Sequence, residues 1–175
     1  MREIVLDTET TGLDPNQGHR LVEVGCIELL NRIPTGATFH AYLNPEREVP
    51  AEAFAIHGLS SDFLKSHKRF AEIVDDFLAF IGEAPLVIHN AGFDHGFLCA
   101  ELKRVERALI ARERLVDTLL LARRKHPAGP NRLDDLSGLG HLAAVGLVFM
   151  TVVALNRKLR ARGFWTAQRY EPDLL

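Results

Sequence analysis

EIVLDTETTGLDP, residues 3–15, is the stretch on which the fold turns. The short run from Glu3 through Ile4, Val5 and Leu6 ends in Asp7, and the Thr-Gly-Leu-Asp-Pro that follows has the composition of a turn, so residues 3–7 read as a buried strand. Leu21 to Leu30 and Ala37 to Leu43 are the next strand candidates. Between them, residues 31–36 contain Pro34 and Gly36, which suit a hairpin connection. Three consecutive strands predict an antiparallel start. From Phe70 to Ile81 the apolar positions Phe70, Ile73, Val74, Phe77, Leu78 and Ile81 recur at the three-and-four spacing of one helix face. Leu86 to His89 reads as a further short strand and Phe93 to Val105 as a helix, through Phe97, Leu98, Leu102 and Val105. Leu115 and Val116 open a last strand. Strands followed by strand, helix and strand predict an α/β fold, a mixed sheet with helices packed on it.

A chain of 175 residues with 47% apolar content fills one ordinary layered core. Its net charge of −2 provides no global basic field, so any nucleic-acid contact has to be local. The two cysteines, Cys26 and Cys99, lie in apolar surroundings without disulfide or metal spacing, which suits a reducing cytoplasm. Asp7 interrupts the N-terminal run before an apolar signal core can form, so export is not expected. The composition changes near residue 136. Residues 137–175 carry only Glu171 and Asp173 as acids against five basic residues. Leu142 to Leu155 is almost wholly apolar and is followed by four cationic side chains in residues 156–162. That run is shorter than the ~20 residues of a membrane span and reads as a buried or frayed helix, with a membrane-associated or accidental segment as the alternative.

Asp7 and Glu9 are two residues apart, so a strand points both to one side. Asp94 follows the Leu86 strand after Asn90-Ala91-Gly92, and a parallel arrangement brings it to the same end of the sheet. Three converging carboxylates raise one another's pKa, and Mg²⁺ or Mn²⁺ favours such an oxygen-rich site and neutralises it. Two such ions would serve phosphodiester hydrolysis. Taken singly, the three acids are a strand-end, a loop and a helix-start charge.

The motifs around them narrow the choice. Asp7-Thr8-Glu9-Thr10-Thr11-Gly12-Leu13 resembles the first motif of the DnaQ-like (DEDDh) 3′→5′ exonuclease family, in particular its proofreading epsilon branch in bacterial DNA polymerase III. His89-Asn90-Ala91-Gly92-Phe93-Asp94 resembles the second motif, and Pro50 to Leu59 the segment that meets the terminal nucleotide. The resemblance covers roughly residues 2–136. It implies a ribonuclease H-like mixed sheet and a two-ion Mg²⁺ or Mn²⁺ site on Asp7, Glu9 and Asp94. It implies a DNA 3′ end as substrate, met by Asp7, Glu9, Glu52 and His57, and a polymerase catalytic subunit as partner. Read without it, Glu52 is a first-turn helix charge and His57 a solvated turn histidine. Asn90 is implied at the substrate end. Asp117 matches a position near the site that is not a ligand and is expected to orient its neighbours. His19, His40, His67 and His126 show no partner pattern.

The family closes its site with a histidine and, five residues on, an aspartate. After Asp135 this chain has only His141, and five residues on stands Gly146. Asn131 to Leu136 still resembles the lead-in, and nothing beyond it matches the region through which family members bind the polymerase. The chain thus divides into an exonuclease domain, residues 1–136, and a divergent tail, 137–175. Three alternatives stay in view: an RNA-trimming enzyme of the same fold, a 3′-end-binding module without turnover, and an aspartyl phosphatase. A phosphatase would need a second Asp as acid/base and a phosphate-binding lysine, neither of which is evident. If a frameshift made the boundary, translating the locus in the other frames beyond codon 136 is expected to restore a histidine followed five residues later by aspartate. Frames without that pair over the length of the tail would show the tail to be native.

Overall fold

The structure, a computed structural model, describes residues 1–125. The chain divides into two units, Met1–Leu121 and Ala122–Leu175. The boundary expected near residue 136, the apolar run from Leu142, His126 and His141 all lie outside the described residues.

Five strands form one sheet in the order β3-β2-β1-β4-β5. They are β1 (Arg2–Thr10), β2 (Leu21–Leu30), β3 (Ile33–Tyr42), β4 (Leu86–Ile88) and β5 (Leu115–Asp117). β1, β2 and β3 pair antiparallel, whereas β4 joins β1 and β5 joins β4 in parallel. The mixed α/β sheet with an antiparallel start is the architecture expected. The helices are α1 (Ala51–His57), α2 (Ser61–Leu64), α3 (Val74–Ile81), α4 (Ala91–Arg104) and α5 (Thr118–Lys125).

Alternation along β1 decides what each sheet face holds. Ile4 and Leu6 join Val24 and Cys26 of β2 in a core that includes Phe77 and Ile81 of α3 and Phe97, Leu98 and Leu102 of α4. Asp7 and Glu9 point the other way.

Four boundaries differ from expectation. β1 runs through Thr10 rather than stopping at Asp7, because Thr8 and Glu9 continue to pair with Val24 and Glu23, and the register slips only between Glu9 and Thr10. The β2–β3 turn is Asn31-Arg32, both at positive φ (53° and 68°), the conformation of a two-residue hairpin. Pro34 and Gly36 therefore belong to β3. As the edge strand, β3 tolerates a residue without an N–H, and the register there is broken opposite Glu28. The helix expected over 70–81 is a 3₁₀ turn, Phe70–Glu72, followed by α3 after a break at Ile73 (φ −120°). Its apolar face survives the break, since Phe70, Ile73, Val74, Phe77 and Ile81 are all buried. α4 starts at Ala91, two residues early. Asn90 takes the left-handed conformation (φ 64°), and the Asp117 carboxylate accepts the N–H groups of Asn90 (3.2 Å) and Ala91 (3.1 Å).

One buried ion pair ties the antiparallel strands to α4. Arg20 Nε and Nη2 donate to Glu101 Oε1 (2.6 Å) and Oε2 (2.9 Å), with Glu101 only 1% exposed. Removing one member strands a buried charge, whereas replacing both does not. Glu101→Ala is expected to destabilise by about 3–5 kcal/mol and the double variant Arg20→Met/Glu101→Leu by clearly less. Denaturant midpoints check this, and equal losses would show that the pair carries no such constraint.

Candidate active site

Asp7 and Glu9 sit on one face of β1, opposite Gly25 and Glu23 of β2. Gly25 presents no side chain to Asp7, and Glu23 adds a carboxylate beside Glu9. Between the two acids, Thr8 faces the helices and donates its hydroxyl to Asp94 Oδ1 at 2.7 Å. Asp94 is 3% exposed and lies in the first turn of α4, where the helix N-terminus favours a negative charge. The first-motif strand and the second-motif helix are thus joined through the residue between the two acids.

The carboxylates act on one another. Burial, followed by Asp94, Glu9 and Glu23, pushes Asp7 up to about 8. Burial, then Glu23 and Asp94, pushes Glu9 up to about 7. Asp94 rises to about 6 through burial, which outweighs the Thr8 hydrogen bond that lowers it. None of the three forms an ion pair among the described residues. Nor does any set of three or more His, Cys, Asp or Glu side chains among those residues already stand in a metal-holding arrangement.

His57 reaches this neighbourhood from the end of α1. Its Nδ1 accepts the Leu59 N–H at 3.0 Å, which leaves the proton of the neutral ring on Nε2. That Nε2 is buried without a hydrogen-bond partner among the described residues. Burial lowers the His57 pKa, against the nearby Thr10 carbonyl and Glu23 carboxylate. Glu52 is exposed in the first turn of α1. Asn90 stands at the start of α4 without a side-chain cap bond, and His89 Nδ1 lies 3.0 Å from the Thr118 hydroxyl. Asp117 holds backbone N–H groups at both helix starts, including Leu119 at 2.9 Å. Gly12 is fixed by close packing, for a Cβ there would collide with the His19 ring.

Sequence reading passed over three participants. Thr8 is hidden inside the first motif as the residue between two acids. Glu23 stands 14 positions beyond Glu9 in the chain and becomes its neighbour only through strand register. His40, read as a histidine without a partner, holds Glu23 Oε1 with its Nε2 at 2.6 Å. His19 and His67 also gain partners, the Thr11 hydroxyl and the Phe63 carbonyl. No local signal marks Glu23 and His40, since only the pairing of β1, β2 and β3 brings them beside Glu9.

Residues 4–144 match the exonuclease family. The DNA polymerase III epsilon subunit of Rickettsia felis is 52% identical over 139 residues, covering 78% of this chain and 61% of that protein. Its Escherichia coli K12 counterpart is 43% identical over 142 residues, covering 77% of this chain and 58% of that protein. The chain spans about three fifths of the length of these curated relatives. Among solved structures, the metal-free and zinc-bound forms of E. coli exonuclease I with single-stranded DNA each align at TM-score 0.75 and 16% identity. Each alignment covers 92% of this chain and 40% of the other. Exonuclease X bound to 5′-overhanging duplex DNA aligns at TM-score 0.66 and 21% identity, over 95% of both chains.

Because all three acids have folded pKa values above those of free carboxyl groups, the folded chain retains protons that the unfolded chain has released. Their ionisation therefore disfavours folding, and stability falls as pH rises through their folded values. In chelator, the melting temperature is expected to drop between about pH 5 and about pH 8, and Asp7→Asn to flatten the upper part of that drop. A wild-type melting temperature that climbs over this interval would contradict the arrangement.

Proposed function

This chain belongs to the exonuclease family, among relatives of the DNA polymerase III epsilon type, and from that premise we propose that it removes nucleotides from DNA 3′ ends as a proofreading subunit. The observation that carries the reading is the acidic group itself, two half-buried acids and one buried one. Asp7 and Glu9 share one face of β1 while Thr8 holds Asp94 behind them, and no basic side chain among the described residues neutralises the three. A catalytic assignment suits this pattern better than a structural one, because buried acids that push one another's pKa up act against stability.

The donor chemistry fits Mg²⁺ or Mn²⁺, since all three groups are hard oxygen ligands that an ion would relieve of mutual repulsion. Asp7, Glu9 and Asp94 would hold the ions, and a bound pair supplies an acidified water and charge neutralisation at the leaving oxygen. The rest of the work falls to the chain. Thr8 keeps one Asp94 oxygen occupied and so limits which lone pairs face the site. Asp117 keeps α4 and its Asp94 at a fixed height. His57, with Nε2 as the donating nitrogen, and Glu52 are assigned to the terminal nucleotide. The proposed substrate is an unpaired DNA 3′ end, supported by the names of the relatives and by the DNA-bound neighbours of the same fold. A polymerase catalytic subunit is the proposed partner, supported by those same relatives. Among the described residues no helix is long and apolar enough to cross a membrane.

The missing histidine and aspartate pair sets the rate. A general base contributes ~10²–10⁴-fold, and loss of a ligand for the second ion compounds the deficit. In single-turnover release of nucleotide from a 3′-mismatched primer with saturating Mn²⁺, hydrolysis is expected to be slow by at least that factor relative to an epsilon subunit carrying both residues. Asp7→Ala should abolish what remains. Rates equal to that reference, lost on Asp7→Ala, would overturn the impairment, and their further loss on His141→Ala would identify the substitute base. Binding of the mismatched end without any turnover would favour the non-catalytic module, and preference for RNA ends the RNA-trimming alternative.

A further inference from the structure

The strand register carries the acidic row beyond the first motif to the edge of the sheet. Glu9 stands opposite Glu23, and Glu23 opposite Tyr42 on β3. Directly opposed residues share a face, so Tyr42 lies on the face of Asp7 and Glu9, and His40, two residues away, lies there too. The 2.6 Å contact from His40 to Glu23 agrees with this placement. Beyond Tyr42 the aromatic surface continues onto α2 and the turn after it. The Tyr42 ring meets His40 at 4.7 Å, Phe63 at 5.1 Å and His67 at 5.5 Å, all nearly edge-on, and Phe63 meets His67 at 4.5 Å. Such contacts hold rings in fixed orientations. The patch is not a buried core, since Phe63 is 43% exposed and the His40 side chain 45% exposed. Lys68, next in the chain to His67, is exposed, and its charge acts on Glu72 without a close ion pair among the described residues.

Fixed, half-exposed rings with an exposed cation next to them in the chain make up the combination by which proteins hold unpaired nucleic acid, stacking the bases and meeting the backbone phosphates. We infer that Tyr42 and Phe63, with Lys68, form a stacking platform for an upstream base of the single strand whose 3′ end lies at Asp7 and Glu9. The inference rests on the proposed function and adds a second point of contact to it. Two interstrand steps of about 4.8 Å separate Glu9 from Tyr42, a span of roughly 10 Å. That span places the platform upstream of the terminal nucleotide, within a few nucleotides of an unpaired strand. A hexanucleotide covers the span with bases to spare, whereas a dinucleotide offers at most one base beyond the terminal one.

The test compares phosphorothioate oligothymidylates of two and six nucleotides, titrated against the whole chain in Ca²⁺. Wild-type protein should bind the hexamer more tightly than the dimer. Tyr42→Leu and Phe63→Leu keep apolar bulk but remove the stacking face, and each should weaken hexamer binding by about 5- to 150-fold and dimer binding far less. Lys68→Ala should lower the salt slope of hexamer binding by about one unit. 2-Aminopurine placed upstream of the terminal nucleotide should be quenched in the wild type and not in Tyr42→Leu. Dimer binding with no gain for the hexamer, or equal losses for both lengths, would overturn the platform and leave the exonuclease reading intact. Failure of the wild type to bind either length would overturn both. Unchanged oligonucleotide binding in both Leu variants would leave the patch to a protein partner and sink the inference.

Discussion

The ion pair of Arg20 with Glu101 constrains the site more than any other contact, because it fixes the second of two points at which α4 is held to the antiparallel strands. The first is Thr8 to Asp94. Asp94 and Glu101 are seven residues apart, two helical turns, so both point to the same side of α4 about 10 Å from each other along its axis. A helix held at one point can pivot, whereas one held at two cannot. Arg20 is itself anchored through Thr11, whose N–H donates to the Arg20 carbonyl at 2.9 Å and whose hydroxyl accepts the Arg20 N–H at 3.0 Å. The end of β1, the start of β2 and the length of α4 thus form one frame, and the acids are read off it.

That frame accepts an unfavourable charge distribution. Glu23 lies beside Glu9, and its only ion-pair partner among the described residues is the ring of His40. The effect on Asp7 and Glu9 is repulsive, and the surroundings offer burial rather than compensation. Local rules of stability fail in this fashion where a site is kept for binding or chemistry. The contrast with Glu101 is instructive, for that more deeply buried acid receives a bidentate guanidinium together with Arg104. The same fold neutralises the acid that frames the site and leaves bare the acids that line it.

Much of this was legible in the sequence, for reasons that can be assigned residue by residue. β2 was visible because its apolar run is long, and the helix over residues 91–104 because Phe97, Leu98 and Leu102 repeat at helical spacing. The acids were visible through the Asp7-Thr8-Glu9 and Asn90 to Asp94 motifs. What escaped depends on partners distant in the chain. The start of α4 at Ala91 is set by Asp117, 26 positions later, and the continuation of β1 by pairing with Val24 and Glu23. The break at Ile73 escaped because a 3₁₀ turn and a helix can share one buried face without altering the apolar spacing. Glu23 and His40 escaped because neither belongs to a local motif and only the register brings them together.

The distribution of the site along the chain has a mechanistic consequence. Asp7, Glu9, Glu23, His57 and Asp94 all belong to the unit Met1–Leu121, and the contacts that hold them, through Thr8, Arg20, Asp117 and His40, lie in that unit as well. On the proposed function, capture of a strand end requires only groups held in place before the ligand arrives, and the candidates for them all come from the sheet and helices of this unit. Activation of water requires one more group with a matched pKa, for which none of these residues is suited. Burial shifts His57 downward, its Nδ1 is already committed to the Leu59 N–H, and the acids are candidates for ligands. On the proposed function, recognition and hydrolysis therefore draw on different groups, and those suited to recognition are held by contacts within Met1–Leu121.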